Sequence, residues 1–396
     1  MYKSWNLSFI CLALAIDLVA QGQLEKAPTV RAMLIFPLQS KHTHACSIVN
    51  LPNGDLLAAW YYGSGEREAD DVKIMGARLK RGASAWSDSF LMADSPGLPD
   101  CNPILFLNRQ NKLFLIWIAV VGNRWENSIL KMRTSTHYAA EGAPAWDGQD
   151  NLLLKPDDRF TTEIAAKFKE LEQTDAQPNL NFLRYDSTIL QLSRDPAKRS
   201  MGWMTRIKPL LLDHGRILLP LYSDGFNLSL IAISDDDGAT WHPSLPIVGR
   251  ENVQPALVRE KSGQILAYMR DNGPAPSRVQ RSESSDNGVS WTPARKTNIP
   301  NTASVELKIL QDGRWIFVGN DIDDGRYRLS LYLSDDEGQS WKWKKTLENV
   351  PKGRGSYSYP CVLQTEDGLL HITYSYSPAH NQESIKYVEI DPATLK

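Results

Sequence analysis

Ser234-Asp235-Asp236-Asp237-Gly238-Ala239-Thr240-Trp241 decides the fold, because its pattern occurs three times. S-x-D-x-G-x-[ST]-W returns from Ser284 to Trp291 and from Ser334 to Trp341, so the three tryptophans stand fifty residues apart. Each copy has the chemistry of a hairpin turn. The Asp and Ser side chains can bond turn amides, the Gly can take positive φ, and the Trp can wedge between sheets. Matches in register over three copies mark a repeat architecture.

Working outward, the same apolar runs surround each box. Residues 208–212 and 217–222 flank a turn at Gly215, residues 228–233 lead into the box, and a fourth run follows Trp241. That is the pattern of a four-stranded antiparallel blade. Decayed copies precede it: 45–49, 56–61 and 72–79 with Trp86, then 102–107, 112–120 and 129–134 with Trp146. A last copy, 359–363, 369–374 and 385–390, lacks the box. Six units predict an all-β, six-bladed β-propeller. Residues 33–37 are placed to supply the last blade's fourth strand and close the ring, removing an exposed edge. Residues 147–202 break the period. Ile164, Phe168 and Leu171 at helical spacing predict a helix over 161–173, in an insertion that covers one face as a lid or an interface.

Composition narrows the function. Among 396 residues, 44 Lys+Arg face 46 Asp+Glu, and this net charge of −2 excludes a basic nucleic-acid binder. Twelve Trp and 42% hydrophobic residues exclude a disordered chain. Lys3, the apolar run 7–16 and the small residues Ala20 and Gly22 read as a secretory signal over 1–22, cleaved near Gly22. The expected mature domain, 23–396, is exported to the periplasm or beyond, with no stretch long and apolar enough to span a membrane. Cys46, Cys101 and Cys361 remain after cleavage, an odd number that points to buried thiols. The absence of CxxC and HExxH gives no metal signal and no cofactor is expected.

Aligned on the repeat, the first strands give one column of Ala45, Asn102, Lys208, Gln254, Glu306 and Tyr359. Two residues earlier stand Thr43, Asp100, Arg206, Asn252, Ser304 and Tyr357. Strand side chains alternate, so both columns share one face. The ends of the second strands add Tyr61, Ile118, Tyr222, Arg270, Asn320 and Ser375. Polar residues recurring at strand ends predict a polar ring at one mouth of the axis, with Trp125 on a loop beside it.

The three boxes, with Gly54-Asp-Leu-Leu-Ala-Ala-Trp60 and Ser358-Tyr-Pro-Cys-Val-Leu363, resemble the Asp-box (BNR) repeats of the sialidase superfamily. The resemblance implies a six-bladed propeller with its active site at one mouth and the boxes away from it. It implies an arginine triad for a substrate carboxylate, a Tyr nucleophile supported by a Glu, and an Asp acid/base. Carried over, Arg270 and Arg326 match triad arginines, with Arg206 as a third clamp. Tyr357 matches the nucleophile and Asp71 the acid/base. Lys208, Gln254, Asn102, Tyr222 and Trp125 are expected to bind substrate. Two positions depart: His44 stands where the first triad arginine belongs, and Gln254 where the supporting Glu belongs, with Glu306 one blade on as a substitute. The expectation is an exo-acting glycosidase releasing a terminal, acidic, α-linked sugar from a glycan. The alternatives are a rhamnosyl-glucuronate hydrolase or lyase with a His44-centred site, and a non-catalytic glycan-binding propeller.

Overall fold

The computed structural model describes Met1, residues 30–174 and residues 180–395. The expected export signal and Cys11 lie outside the described residues. Six antiparallel sheets stand in a ring. Blade 1 runs through His42–Asn50, Leu56–Gly63, Lys73–Leu79 and Phe90–Ala93. Blade 2 uses Asp100–Leu107, Leu113–Val120, Ser128–Ser135 and Gly148–Asn151. In blade 3 the inner strand is split into Met204–Thr205 and Leu210–Leu211, both paired with Ile217–Ser223, followed by Leu228–Ser234 and His242–Pro243. Blade 4 begins with Asn252–Arg259 and Ile265–Asp271, and blade 5 with Glu306–Ile309 and Trp315–Gly319. Blade 6 comprises Ser356–Gln364, Leu370–Ala379 and Gln382–Ile390.

Val30–Leu34 completes blade 6, pairing Arg31 with Glu389 and Leu34 with Lys386. The closing strand is therefore the expected one, begun three residues earlier than its apolar pattern suggested. Blades pack face to face, so their inner strands are apolar on both sides. Leu113–Val120 is buried at every position. The outer strands meet water and show it: Arg295–Pro300 has no buried residue.

Each Asp box forms the hairpin between a blade's third and fourth strands. Ser234 Oγ donates to Asp236 Oδ1 (2.8 Å) and accepts the Gly238 N–H (2.8 Å), while Asp236 Oδ1 accepts the Thr240 N–H (2.8 Å). Gly238 sits at φ +94°, and a Cβ there would lie 2.7 Å from the Phe114 ring of blade 2. The glycine is thus required twice, for its backbone angle and for the close approach of neighbouring blades. Cys46, Cys101 and Cys361 are free and buried.

The outer strand of blade 2 takes up residues 148–151, so the insertion begins later than 147. It contains the expected helix as α1, Arg159–Thr174, with Phe160, Ile164, Phe168 and Leu171 inward, and a second helix α2, Leu180–Ser193. Phe160 packs on Trp203 and Phe226 at ring distances of 6.0 and 5.4 Å. Among the described residues no helix is long and apolar enough to cross a membrane.

Candidate active site

Four inner strands carry the same irregularity. Their pairing slips between His44 and Ser47, Cys101 and Ile104, Val253 and Ala256, and Ser358 and Cys361. Within the slips, Ala45, Asn102, Gln254 and Tyr359 have φ of 55°, 52°, 59° and 58°. A bulge bends a strand and re-aims its side chains. Here four bulges surround the mouth at which the inner strands begin, and a cavity of ≈ 390 Å³ opens between them.

His44, Asn102, Tyr222, Gln254, Arg270, Arg326 and Trp125, all expected from the sequence, line this cavity. At its centre stands Tyr359. Its hydroxyl accepts hydrogen bonds from Gln254 Nε2 (3.1 Å) and Arg270 Nη1 (3.3 Å). Its ring lies 4.7 Å from the Arg206 guanidinium, 5.2 Å from that of Arg326 and 4.1 Å from the His44 ring. Arg206 is buried beneath, donating to the Pro360 carbonyl at 3.0 Å. Asn102 Nδ2 donates to the Tyr222 hydroxyl at 3.1 Å.

Four expected site residues lie elsewhere. Tyr357 is buried between blades 5 and 6 against Tyr376 (ring distance 5.3 Å), and burial pushes its hydroxyl up to about 12. Simple alternation put Tyr357 and Tyr359 on one face, but the bulge at Tyr359 breaks that alternation. Asp71 is exposed at the outer loop, bonded to the Ser64 hydroxyl and amide and to Lys41 Nζ at 3.2 Å. Those bonds hold its carboxyl at about 2, too acidic to deliver a proton near neutrality. Glu306 and Lys208 line the opposite mouth. Lys208 Nζ donates there to the Ile48 and Val362 carbonyls (3.3 and 2.9 Å). Glu306, whose pKa burial raises, stands at the mouth away from Tyr359 and so does not support it.

The cavity has a basic wall and an acidic wall. No carboxylate pairs within 4.0 Å with Arg206, Arg270 or Arg326 among the described residues. Burial alone would raise the Tyr359 pKa, but the charges of Arg270 and Arg326 and the Gln254 bond outweigh it and lower the phenol. His44 is driven well below the ordinary imidazole range by burial and then by Arg326, so it is neutral at pH 7. Across from them, His42 lies between Glu383 (3.1 Å) and Glu66 (3.8 Å). Burial opposes its protonation, yet the two carboxylates raise it to about 9.

Three cavity carboxylates, Glu66, Asp224 and Glu383, escaped the sequence reading, and the environments of the first two push their pKa values apart. For Glu66 burial is outweighed by its bonds to His42 and Tyr61, which lower its pKa. Asp224 stands at the rim, where crowding by the protein raises its carboxyl more than Arg270 lowers it. Glu66 lies in the same blade 1 loop as Asp71, only five residues earlier, so the loop was the right one. Asp224 follows Ser223, the end of a second strand, two residues past Tyr222 in the column compared by repeat alignment.

The BNR repeat-like domain family matches residues 54–171 and 191–372. A sialidase of Vibrio cholerae serotype O1 is 29% identical over 192 residues, covering 40% of this chain and 24% of that protein. This chain thus matches about a quarter of that relative's length. Among solved structures, a protein of unknown function from Dyadobacter fermentans superposes with a TM-score of 0.66 at 14% identity, covering 91% of this chain and 99% of the other. A leech intramolecular trans-sialidase, solved with 2,7-anhydro-Neu5Ac, gives 0.65 at 14% identity, covering 93% and 71%. At such identities these structures share the fold.

Proposed function

Because the chain belongs to the BNR repeat-like family of the sialidase superfamily, we propose that it is a glycosidase releasing a terminal, acidic, α-linked sugar. The observation that carries this reading is the cluster of Arg206, Arg270 and Arg326 around Tyr359, with no acid paired to any of them. Arg206 is buried and Arg270 and Arg326 are half-buried, and guanidinium groups withdrawn from water without a counter-ion are costly; a bound carboxylate supplies one. Arg270 and Arg326 hold that carboxylate, while Arg206 supports the tyrosine from below. Tyr359 Oη attacks the anomeric carbon. It attacks as the phenolate that Arg270 and Arg326 favour, so no proton is left to place, and those guanidinium groups offset its repulsion by the substrate's adjacent carboxylate. Asp224, with its raised pKa, protonates the departing oxygen and then, as a carboxylate, takes a proton from the attacking water. Ionised Glu66, fixed by His42 and Tyr61, and Trp125 line the sugar's other side. Two displacements give retention of configuration.

A glycan screen over sialosides, KDO-type sugars and rhamnosyl-uronate oligomers tests this, with the first-formed anomer followed by proton NMR. A retained anomer, lost in Tyr359→Phe, is the expected outcome. An inverted anomer refutes the tyrosine nucleophile.

A second reading rests on Gln254 and His44. Gln254 donates to Tyr359 and cannot serve as its base, whereas neutral His44 lies against its ring. With a uronate carboxylate neutralised by arginine, His44 can take the neighbouring carbon-bound proton and Tyr359 can protonate the leaving oxygen. That is a lyase, and its unsaturated product absorbs in the ultraviolet. Binding without turnover in the whole screen would instead support a glycan-binding propeller. We further propose export of the chain on its N-terminal signal, which amino-terminal sequencing of the secreted protein tests.

A further inference from the structure

The opposite mouth of the axis holds a second cavity, of ≈ 460 Å³, enclosed by the inner strands of all six blades. That volume falls within the range of small-molecule sites. Most of the lining is apolar. Leu107, Leu211, Leu257, Ile309 and Leu363 belong to it, and Leu211 and Ile309 are exposed to solvent. Four charged side chains interrupt this surface. Arg259 is turned to Asp213 at 3.5 Å. Lys208 Nζ donates to two carbonyls, as described above, and Lys308 stands nearby on the blade 5 inner strand. Among the described residues the Lys308 ammonium has no hydrogen-bond acceptor and no carboxylate within 4.0 Å, and burial followed by the Lys208 charge lowers its pKa. Glu306 is 5% exposed, and its Oε2 has no partner among the described residues.

We propose that this mouth binds a small amphiphilic anion, a hydrocarbon chain ending in a carboxylate. The carboxylate meets Lys308 beside Lys208, and the chain covers the leucine and isoleucine side chains of the lining. The charge count supports an anion. Arg259 is balanced by Asp213, and Glu306, ionised or protonated, balances at most one of the two ammonium groups. Ammonium groups withdrawn from water are costly until something pairs with them. The rest of the cavity supports the chain. Inorganic phosphate would pair with the ammonium and leave the apolar lining in water, whereas a neutral lipid would cover the lining and leave the ammonium unpaired. A protonated Glu306, which burial favours, can donate to a ligand oxygen. The inference stands apart from the glycosidase reading, since the two cavities share no lining residue.

Isothermal titration calorimetry on the full chain tests the site with octanoate, octanol, octylammonium, acetate and inorganic phosphate. Octanoate should bind at least about tenfold more tightly than each of the others, because acetate and phosphate lack the chain and the alcohol and amine lack the anion. Lys308→Met should weaken octanoate about tenfold and leave octanol within about threefold. Leu211→Glu, at an exposed position, sets a like charge beside the ligand and should weaken octanoate as well. Melting temperatures show whether each variant folds, and if Lys308→Met does not, Leu211→Glu decides alone. Arg270→Gln, at the other mouth, should leave octanoate binding unaltered. Absence of octanoate binding, equal binding of octanol, octylammonium, acetate or phosphate, or an affinity indifferent to the folded variants of this mouth overturns the proposal. So does a loss in Arg270→Gln alone, which would place octanoate on the arginines.

Discussion

Replacing Arg270 by Gln should raise the Tyr359 pKa by about 1–2 units. The guanidinium donates to the phenol oxygen at 3.3 Å. A hydrogen bond to a charged group contributes roughly 1.5–3 kcal/mol, and 1.36 kcal/mol is about one pKa unit. The Arg206 and Arg326 charges, 4.7 and 5.2 Å from the ring, remain and keep the rise from being larger. Salt should change the result little, because the pair is largely enclosed. The assay is NMR of protein labelled with ¹³Cζ-tyrosine, in which the Tyr359 resonance is identified by its loss in Tyr359→Phe. On the catalytic side the same variant loses ionised nucleophile and one arm of the carboxylate clamp, so kcat/KM should fall by about 10²–10⁴. A Tyr359 that titrates at or above the free-phenol value in the unmodified protein, or that is indifferent to Arg270→Gln, refutes the reasoning.

Asp71→Asn should leave kcat/KM within about threefold, as surface changes do, whereas Asp224→Asn should lower it about 10²-fold or more; parallel kinetics on one substrate decide. His42, raised from 6.5 to about 9 in the fold, contributes stability that is complete below about pH 6.5 and lost as pH rises through 9. Melting temperatures across that window should fall for the unmodified protein relative to His42→Gln. Asp336→Ala removes the acceptor for the Ser334 hydroxyl (2.7 Å) and the Ser340 amide (2.8 Å) in the third Asp box. It should cost about 1–3 kcal/mol in denaturant titration and leave kcat unaltered, since the box lies at the far end of the blade.

The fold was legible because the boxes repeat a turn chemistry that admits few substitutions. Ser234, Asp236 and Gly238 each have a bond or a contact that only their type supplies, and the period followed from them. Arg270, Tyr222 and Asn102 were legible because polar residues at the ends of apolar strands, at equivalent places in several repeats, have a common mouth to point at, whereas Arg326, in the loop before a third strand, came from the family resemblance alone. Asp224 and Glu66 were not, since loops beyond strand ends keep no register for an alignment to compare.

The misplaced tyrosine has a more particular cause, and a signal for it was present. Alternation predicts direction only while a strand is regular. In the decisive column, Asn102, Lys208, Gln254 and Tyr359 are each followed by proline. Proline cannot donate to a ladder and is confined within sheets to edges and bulges. Four X-Pro pairs inside innermost strands therefore announce four interruptions. Three are the bulges at Asn102, Gln254 and Tyr359, where φ is positive and the side chain turns into the cavity. The fourth lies between the two pieces of the blade 3 inner strand, where the chain breaks without taking positive φ, and Lys208 faces the other mouth. Glu306 has no proline after it, keeps a regular strand and also faces that mouth. Proline thus locates four of the five interruptions, the bulge at Ala45 being followed by Cys46, and among those four the sign of φ decides which aim a side chain at the site. The strain of a left-handed tyrosine is offset locally by guanidinium groups on its ring and hydroxyl, which binds the geometry of the bulge to the charge that lowers its pKa.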